Sequence, residues 1–514
     1  ALTTPHHFGS FVQKLSPQGK LLWAKGMDGV SWGHGFGICA DSANNVIHSG
    51  SYQGTADFDT SKNSGKRAST TAFVRKLSSD GNEIWRKSFA NKGSSYSRFC
   101  LADDEGNIYV SGGFVKSIDL DPGPNEVWKE SKGGYDGFMV KLDSDGNYLW
   151  GITLSGAGDD VFYEMEIDGD KLALAGNFEY DGQLESTDKQ INLNSLGSSD
   201  AFVCLFNREG ELQWHKQFGG KSFDQAQGLD FDSNGNVLVA GCFMKTGDFD
   251  PGAGVHILST QEHRNRWVET QDIYVLKLDS LGEFQWAKGI GGVHNDNGFC
   301  VETDDFNNVY IGGIFHRRVN FNPGGEESKK VTSNGQHEGF VHKMNADGEF
   351  QWVYALGSFG WDFVTDLAID SDGALHVSGY FSHRVDFDPS NTKREMEKAT
   401  SFDGFVQKLK PESMPEERNL IEEPLVLSGS SSEDELGITL FPNPADDYFT
   451  IEFAEDFEQL ELSIVDATRK QVHEEVFVKN TSASVDVSNL SNGIYIIDIK
   501  LDGKRMSQKL VIQR

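Results

Sequence analysis

A short apolar phrase of the form F-V-x-K-L occurs seven times, at 11–15, 73–77, 138–142, 202–206, 274–278, 340–344 and 405–409. Six of the seven copies are followed by a glycine-containing turn and then a tryptophan: Trp23, Trp85, Trp150, Trp214, Trp286 and Trp352, about 65 residues apart. A second apolar stretch ending in an aromatic residue also recurs six times, closing on Tyr52, Phe114, Phe178, Phe243, Phe315 and Phe381. Self-similarity at a fixed period marks a repeat architecture and limits the folds open to the chain more than any composition figure does.

The clearest copy resolves into four short strands. Residues 228–232 form a strand and 233–236, Ser-Asn-Gly-Asn, a turn; 237–243 form the second strand. A long loop carrying Asp248-Phe249-Asp250-Pro251-Gly252 follows, then a third strand at 272–279, a turn, and a fourth at 283–288. Strands joined by Gly/Asn/Asp turns make an antiparallel meander, and no helical period is sustained in this region. In the first strand of each unit apolar residues such as Met165 and Ile167 alternate with polar ones such as Glu164 and Glu166. That alternation gives one buried face and one open face. One meander of this size cannot bury both faces alone, whereas neighbours arranged around an axis can bury them against one another. The expected fold is all-β: a six- (or seven-) bladed β-propeller of four-stranded antiparallel blades over residues 1–409. The chain opens with third and fourth strands and ends the repeats on a third strand. Both ends are expected to meet in one shared blade, giving six; a ring of seven is the alternative. The recurring tryptophan is expected to pack against the next blade.

These units resemble the SBBP family of β-propeller repeats of secreted bacterial proteins. The likeness rests on D-x-F-V-x-K-L-D-x-x-G-x-x-x-W, on F-G-G-x-x-x-D (Phe218-Gly219-Gly220 with Asp224), and on D-x-x-G-N-V-x-V-x-G-x-F (Asp232 to Phe243) followed by D-F-D-P-G. It covers roughly 8–409.

Residues 410–437 differ in character. Glutamates crowd with Pro411, Pro415, Pro424 and a serine run, which is the composition of an acidic, extended linker. Beyond it, 438–514 carries short alternating strands at 448–453, 460–465, 472–478, 484–487, 494–500 and 508–512, as expected of a small C-terminal Ig-like β-sandwich. This tail resembles the type A C-terminal sorting domain of the type IX (Por) secretion system of Bacteroidetes. The carrying motif residues are Pro442, Asn443 and Pro444 at its start, Gly493 and Tyr495 in Leu-Ser-Asn-Gly-Ile-Tyr, and Lys509 in the closing strand. A Gly-Lys/Arg pair common in that family is replaced by Thr468-Arg469. The resemblance implies the type IX secretion machinery as a partner, export to the outer-membrane surface or the medium, and removal of the tail.

The formal charge of −32 argues against nucleic acid and anionic membranes as partners. No apolar run approaches the roughly 20 residues of a transmembrane helix. The start at Ala1 reads as that of a mature or truncated product. Cys39, Cys100, Cys204, Cys242 and Cys300 are odd in number and lack metal-ligand spacing, as expected of small buried thiols. No nucleophile elbow, phosphate loop or zinc motif is found, and the histidines do not recur at one repeat position. The best metal candidates are the Asp-x-Asp pairs Asp57/Asp59, Asp119/Asp121, Asp248/Asp250 and Asp386/Asp388, whose oxygens could share a Ca²⁺; turn chemistry is the competing reading. Gly-rich loops after the Trp strands carry Trp32, Tyr96, Phe223 and Trp361 and can converge on one face of a propeller; ligand sites usually lie on such loops. The expected role is that of a monomeric, secreted or surface-displayed binding or structural module for an extracellular glycan, protein or envelope ligand. The alternative is a polysaccharide-acting glycosidase or lyase, with candidate acids in the insertions at 263–269 and 179–194.

Overall fold

A computed structural model describes residues 10–27, 32–53, 69–261, 270–325, 328–333, 337–357, 360–387, 396–410, 438–441, 448–465, 470–491, 493–501 and 504–512. The chain divides into two compact units, Ala1–Arg418 and Asn419–Arg514. The expected linker lies outside the described residues save for Lys410.

Among the described residues there is no helix, and the sheets are antiparallel. The first unit holds five four-stranded meanders. Sheet I is Trp32–Ala40, Val46–Gln53, Thr71–Leu77 and Glu83–Ser88; sheet II is Ser95–Ala102, Ile108–Phe114, Asp136–Leu142 and Tyr148–Gly156. Sheet III is Val161–Asp168, Lys171–Glu179, Ser199–Asn207 and Leu212–Gly220; sheet IV is Asp224–Phe231, Val237–Met244, Gln271–Leu278 and Phe284–Gly292. Sheet V is Asn297–Thr303, Val309–Phe315, Glu338–Met344 and Phe350–Leu356, and sheet VI has three strands, Phe363–Ile369, Leu375–Asp386 and Met396–Leu409. Strands one to four are neighbours in that order. Each sheet packs on the next through the first strand of the later one. Cores form between sheets, as where Ala173, Val203 and Leu205 of sheet III meet Leu229, Val239 and Leu276 of sheet IV.

Two findings differ from the sequence expectation. The Asp-x-Asp segments at Asp119 and Asp248 are not plain loops. Each folds into a hairpin of very short strands, as do the corresponding segments at 182–193 and 318–332, which lack the pair, and three of these four hairpins add to the fourth strand of the preceding sheet. Gly182–Glu185 pairs with sheet II, Thr246–Asp248 with sheet III and Arg318–Asn320 with sheet IV. The hairpin Ser117–Asp119/Trp128–Glu130 touches the preceding chain through a bridge between Asn91 and Ile118. The Trp strand is therefore not the outermost in sheets II to IV. Second, the two ends of the repeat region do not share a sheet among the described residues. Phe11–Leu15 pairs with Leu21–Gly26, and Met396–Leu409 pairs only with sheet VI's second strand.

The second unit is an antiparallel network of five strands, Ile438–Phe441, Tyr448–Val465, Gln471–Asp486, Gly493–Leu501 and Lys504–Ile512. Strands expected to be separate at 448–453 and 460–465 run on as one, with a register break between Glu452 and Phe457. Phe449, Ile451, Leu460, Leu462, Ile464, Val485, Tyr495, Ile497, Leu510 and Ile512 form its core.

Candidate functional site

The recurring tryptophan and the lysine of F-V-x-K-L make one joint between sheets. Trp85 Nε1 and Lys76 Nζ donate to the carbonyl of Ser144 in the next sheet's last turn, at 3.0 and 3.4 Å. Trp286 and Lys277 share the Ala346 carbonyl in the same way, and Trp23 and Lys14 share that of Ser79. Trp214 donates to the Ser280 carbonyl at 3.1 Å. The Trp150 ring packs against Gly210, while Lys141 reaches the Arg208 carbonyl at 3.0 Å. Trp352 is buried edge-on to Tyr310. The lysine also pairs with the turn aspartate of its own sheet, as Lys277 does with Asp232 at 2.8 Å and Lys76 with Asp41 at 2.9 Å. Sequence reading had the lysine inside a motif but gave it no role.

In the Asp-x-Asp hairpins the carboxylates accept backbone hydrogen bonds. Asp119 Oδ1 accepts from Asp121 N at 3.2 Å and Val127 N at 2.7 Å; Asp121 Oδ1 accepts from Gly123 N at 2.7 Å. Asp248 Oδ1 accepts from Asp250 N and His256 N, and Asp250 Oδ1 from Gly252 N. These bonds shape the hairpin turn. Asp57, Asp59 and Asp388 lie outside the described residues, as does the side chain of Asp386. No group of three or more His, Cys, Asp or Glu suited to a metal occurs among the described residues.

The polar face of the first strands gathers Glu164 and Glu166 of sheet III, Asp230 of sheet IV, Glu302 of sheet V and Asp366 of sheet VI. Burial, then repulsion from Asp230, pushes Glu166 up to about 8. Burial, then Asp230, Glu166 and Asp366, pushes Glu302 up to about 9. Glu164 is held well above the usual range by burial and by Asp366. Acids on the first strands of four successive sheets thus raise one another's pKa. Beside them the Arg98 guanidinium lies 4.4 Å from the Tyr163 ring centre, and Gln225 Nε2 donates to the Tyr163 hydroxyl.

At the junction of sheets V and VI a ladder of flat rings breaks the repeat. His294 and His316 centre 4.7 Å apart, His316 and His337 5.0 Å, and His337 and Trp361 4.5 Å. Phe363 stacks on Trp361 and, at 4.4 Å, on Tyr380. A parallel bridge between His337 and Trp361 sets the stack of those two rings, and Ser382 Oγ accepts from the Trp361 backbone N–H at 2.7 Å. Burial lowers His316 to about 3 and also lowers His337, so both are neutral at pH 7. Trp361 remains 43% exposed. Of the loop aromatics singled out in the sequence, Trp361 joins this ladder. Tyr96 instead meets Tyr135 at a tilt and Phe36 edge-on. The histidines went unnoticed because no two occupy the same repeat position.

In the tail, Gly493 opens a strand and Tyr495 is buried, its hydroxyl donating to the Ser491 carbonyl at 2.8 Å. Lys509 pairs through its backbone with Ile496. Pro442, Asn443 and Pro444 lie outside the described residues.

Comparison with known proteins agrees with both halves of this description. The family model for secretion system C-terminal sorting domains matches residues 439–513, and the SBBP β-propeller repeat model matches 213–241. The chain is similar to an uncharacterized WD repeat-containing protein, L264, of Acanthamoeba polyphaga mimivirus, 22% identical over 34% of this chain and 14% of that protein. It is also similar to the regulatory protein FlaEY of Caulobacter vibrioides, 29% identical over 27% of this chain and 14% of that protein. Each match spans about a seventh of the relative's length. A solved biofilm associated protein, BSP domain, aligns over 93% of this chain and 96% of its own, at 9% identity and a TM-score of 0.12. The chain thus carries SBBP-type β-propeller repeats and ends in a Por secretion-system sorting domain, the mark of a protein exported to the cell surface or the medium.

Proposed function

We propose that the repeat unit is a propeller that binds an extracellular glycan without catalysis, delivered to the outer-membrane surface or the medium by type IX secretion. Ring closure is supported by the inward acids: Glu164 of sheet III feels Asp366 of sheet VI, three sheets on, as first strands around one axis would. The N-terminal hairpin sits before sheet I, because Trp23 docks on that sheet's turn as each Trp docks on the sheet after it. It is the outer half of a blade at the seam of the ring.

One observation carries the ligand class: the exposed Trp361 face, backed by His337 and Phe363 in near-parallel planes. Sugars present C–H faces that pack on such rings, and neutral imidazoles add hydrogen-bonding edges without charge. The test is a glycan array with the full chain and with W361A. A bound glycan whose affinity falls roughly tenfold or more in W361A, a loss of about 1.4 kcal/mol, supports the reading. Unchanged binding by W361A, or no glycan bound by the wild type, overturns it. Polysaccharide turnover abolished by E166Q or E302Q would make the inward acids catalytic and replace it.

A further inference from the structure

Where the fourth strand of one sheet leads into the first strand of the next, a second set of acids recurs. Asp136 opens the third strand of sheet II and Asp160 precedes the first strand of sheet III. Asp200 and Asp224 hold the same places one sheet on, and Asp272 and Asp296 the next. In every pair the two positions are 24 residues apart, as 136 and 160 are. All six side chains are buried, none more than 3% exposed; Glu338 and Asp362, also buried, hold these places at the next junction, but neither is among the residues with an oxygen left over.

Their oxygens are only partly used. The Asp136 carboxylate accepts from Lys132 N and Gly156 N and Asp160 Oδ1 from Glu179 N, but Asp160 Oδ2 has no hydrogen-bond partner. In the second pair Asp200 Oδ2 accepts from Ser195 Oγ, Leu196 N and Gly197 N, and the Asp224 carboxylate from Gly220 N and Met244 N; Asp200 Oδ1 is left over. In the third, Asp272 Oδ2 accepts from Gln261 N and Asp296 from Gly292 N and His316 N, while Asp272 Oδ1 is left over. A buried carboxylate oxygen without a donor at each of three junctions is a repeated omission, because each ought to carry a heavy desolvation cost. The charges acting most strongly on Asp160 are themselves acidic, namely Asp136, Glu179 and Asp159.

Small residues keep the space between the partners. A Cβ on Gly156 would lie 2.7 Å from Asp160 Oδ2 and 3.0 Å from the Asp181 carbonyl oxygen, so carboxylate and carbonyl oxygens converge there. A Cβ on Gly291 would lie 2.4 Å from Asp272 Oδ1. Between sheets I and II the same two places hold Thr71 and Ser95, and Ser95 Oγ accepts from Ala72 N at 2.9 Å. Both acids are lost together there, as a shared ligand would require. The Asp-x-Asp hairpins lack this character, since no oxygen of Asp119, Asp121, Asp248 or Asp250 is among the buried ones left without a donor.

We propose that Asp136/Asp160, Asp200/Asp224 and Asp272/Asp296 are three structural Ca²⁺ sites, one at each of three successive sheet junctions. All-oxygen donors with two carboxylates suit a hard divalent cation, and backbone carbonyls and water complete its shell. Bound there, the ion neutralises the pair and ties the end of one sheet to the start of the next. Acting on N and not on U, it stabilises the repeat unit by mass action.

The test uses the full chain stripped with a chelator, then titrated with Ca²⁺ or Mg²⁺. Bound metal is measured by plasma mass spectrometry after gel filtration, and melting by circular dichroism. The expected result is about three Ca²⁺ per chain, a melting point that rises with Ca²⁺, and the loss of about one ion in D224N and in D272N alike. D248N/D250N, in an Asp-x-Asp hairpin, should keep all the ions. Absence of bound Ca²⁺ in the wild type, full stoichiometry in D224N and D272N, or loss of an ion only in D248N/D250N overturns the assignment. So does a chelated D224N protein more stable than the wild type with Ca²⁺, because a shared proton would then be what holds the pair.

Discussion

The joint between Trp214 and the turn of the next sheet can be measured with two substitutions and their combination. Gly282 has φ +79°, and a Cβ added there would lie 3.0 Å from Trp214 Cδ2 and 3.2 Å from Cε2. For alanine that backbone conformation alone costs about 1 kcal/mol. Pushing the ring away should add about 1–2 kcal/mol more, the usual cost of overpacking. W214A removes a half-buried ring and its hydrogen bond to the Ser280 carbonyl. A fully buried Trp→Ala change costs about 3–5 kcal/mol, so about 2–3 kcal/mol is expected here. In the W214A background the ring is gone, the remaining neighbour, Lys216 Cε at 2.7 Å, is the end of a flexible chain that swings aside, and G282A should cost little beyond its backbone strain. The double mutant is then less destabilised than the sum of the singles by about 1–2 kcal/mol. Urea unfolding followed by far-UV circular dichroism reads all four proteins without depending on tryptophan fluorescence. Additive losses would refute the docking geometry, because a turn that does not touch the ring cannot sense its removal.

Two further outcomes follow from the charges. Asp232 is buried, and although burial pushes its carboxyl up, Lys277 and Asn236 together hold it below the usual range. K277M strands that charge and should cost about 3–5 kcal/mol, much of it recovered in K277M/D232N. Because Asp232 titrates low in the fold, its contribution is present above pH 4 and disappears as pH falls through its folded value, which an acid melt of the wild type and K277M compares. Glu302 carries the opposite sign. Its folded value, about 9, lies above the ordinary 4.5, so the fold loses stability as pH rises between the two. E302Q should match the wild type at pH 4 and melt higher at pH 8; equal melting at both would show that the inward acids do not repel one another.

The six meanders were legible because their apolar phrases and turn glycines are fixed in order, and sheets I to VI follow them. The start of each first strand was not. In sheet IV it begins at Asp224, four residues before the expected 228, with Asp224 and Gln225 pairing with Phe243 and Cys242. Polar residues paired with apolar ones give no alternation to read. The Asp-x-Asp hairpins escaped for a related reason: strands of three residues such as Thr246–Asp248 are too short to show a period. The buried acid pairs stood inside quoted phrases, F-G-G-x-x-x-D and D-x-F-V-x-K-L. Their constant spacing was a usable signal. Seeing it as one site required knowing that the end of one sheet runs beside the start of the next, as the hydrogen bond from Asp160 N to the Tyr135 carbonyl shows.

The distribution of these features separates support from recognition. A group needed to hold neighbouring sheets together is needed at every junction, so it must recur. The Trp–Lys joint recurs, and the acid pair recurs until both members change to Thr71 and Ser95. A ligand of low symmetry needs the reverse, a place that differs from its counterparts. The position of Trp361 is filled by Ser94, Asp159, Phe223 and Asn295 in the earlier units, and that of His337 by Tyr135, Ser199 and Gln271. Trp361 is also a tryptophan outside the docking set, and its ring stays open to solvent while the docked rings bridge two sheets. Exposing such a ring costs roughly 25 cal/mol per Å² of apolar surface that burial would have recovered. A fold that docks its recurring tryptophans at the joints leaves Trp361 uncovered where the repeat is broken, and that combination makes W361A the substitution on which the proposed glycan binding stands or falls.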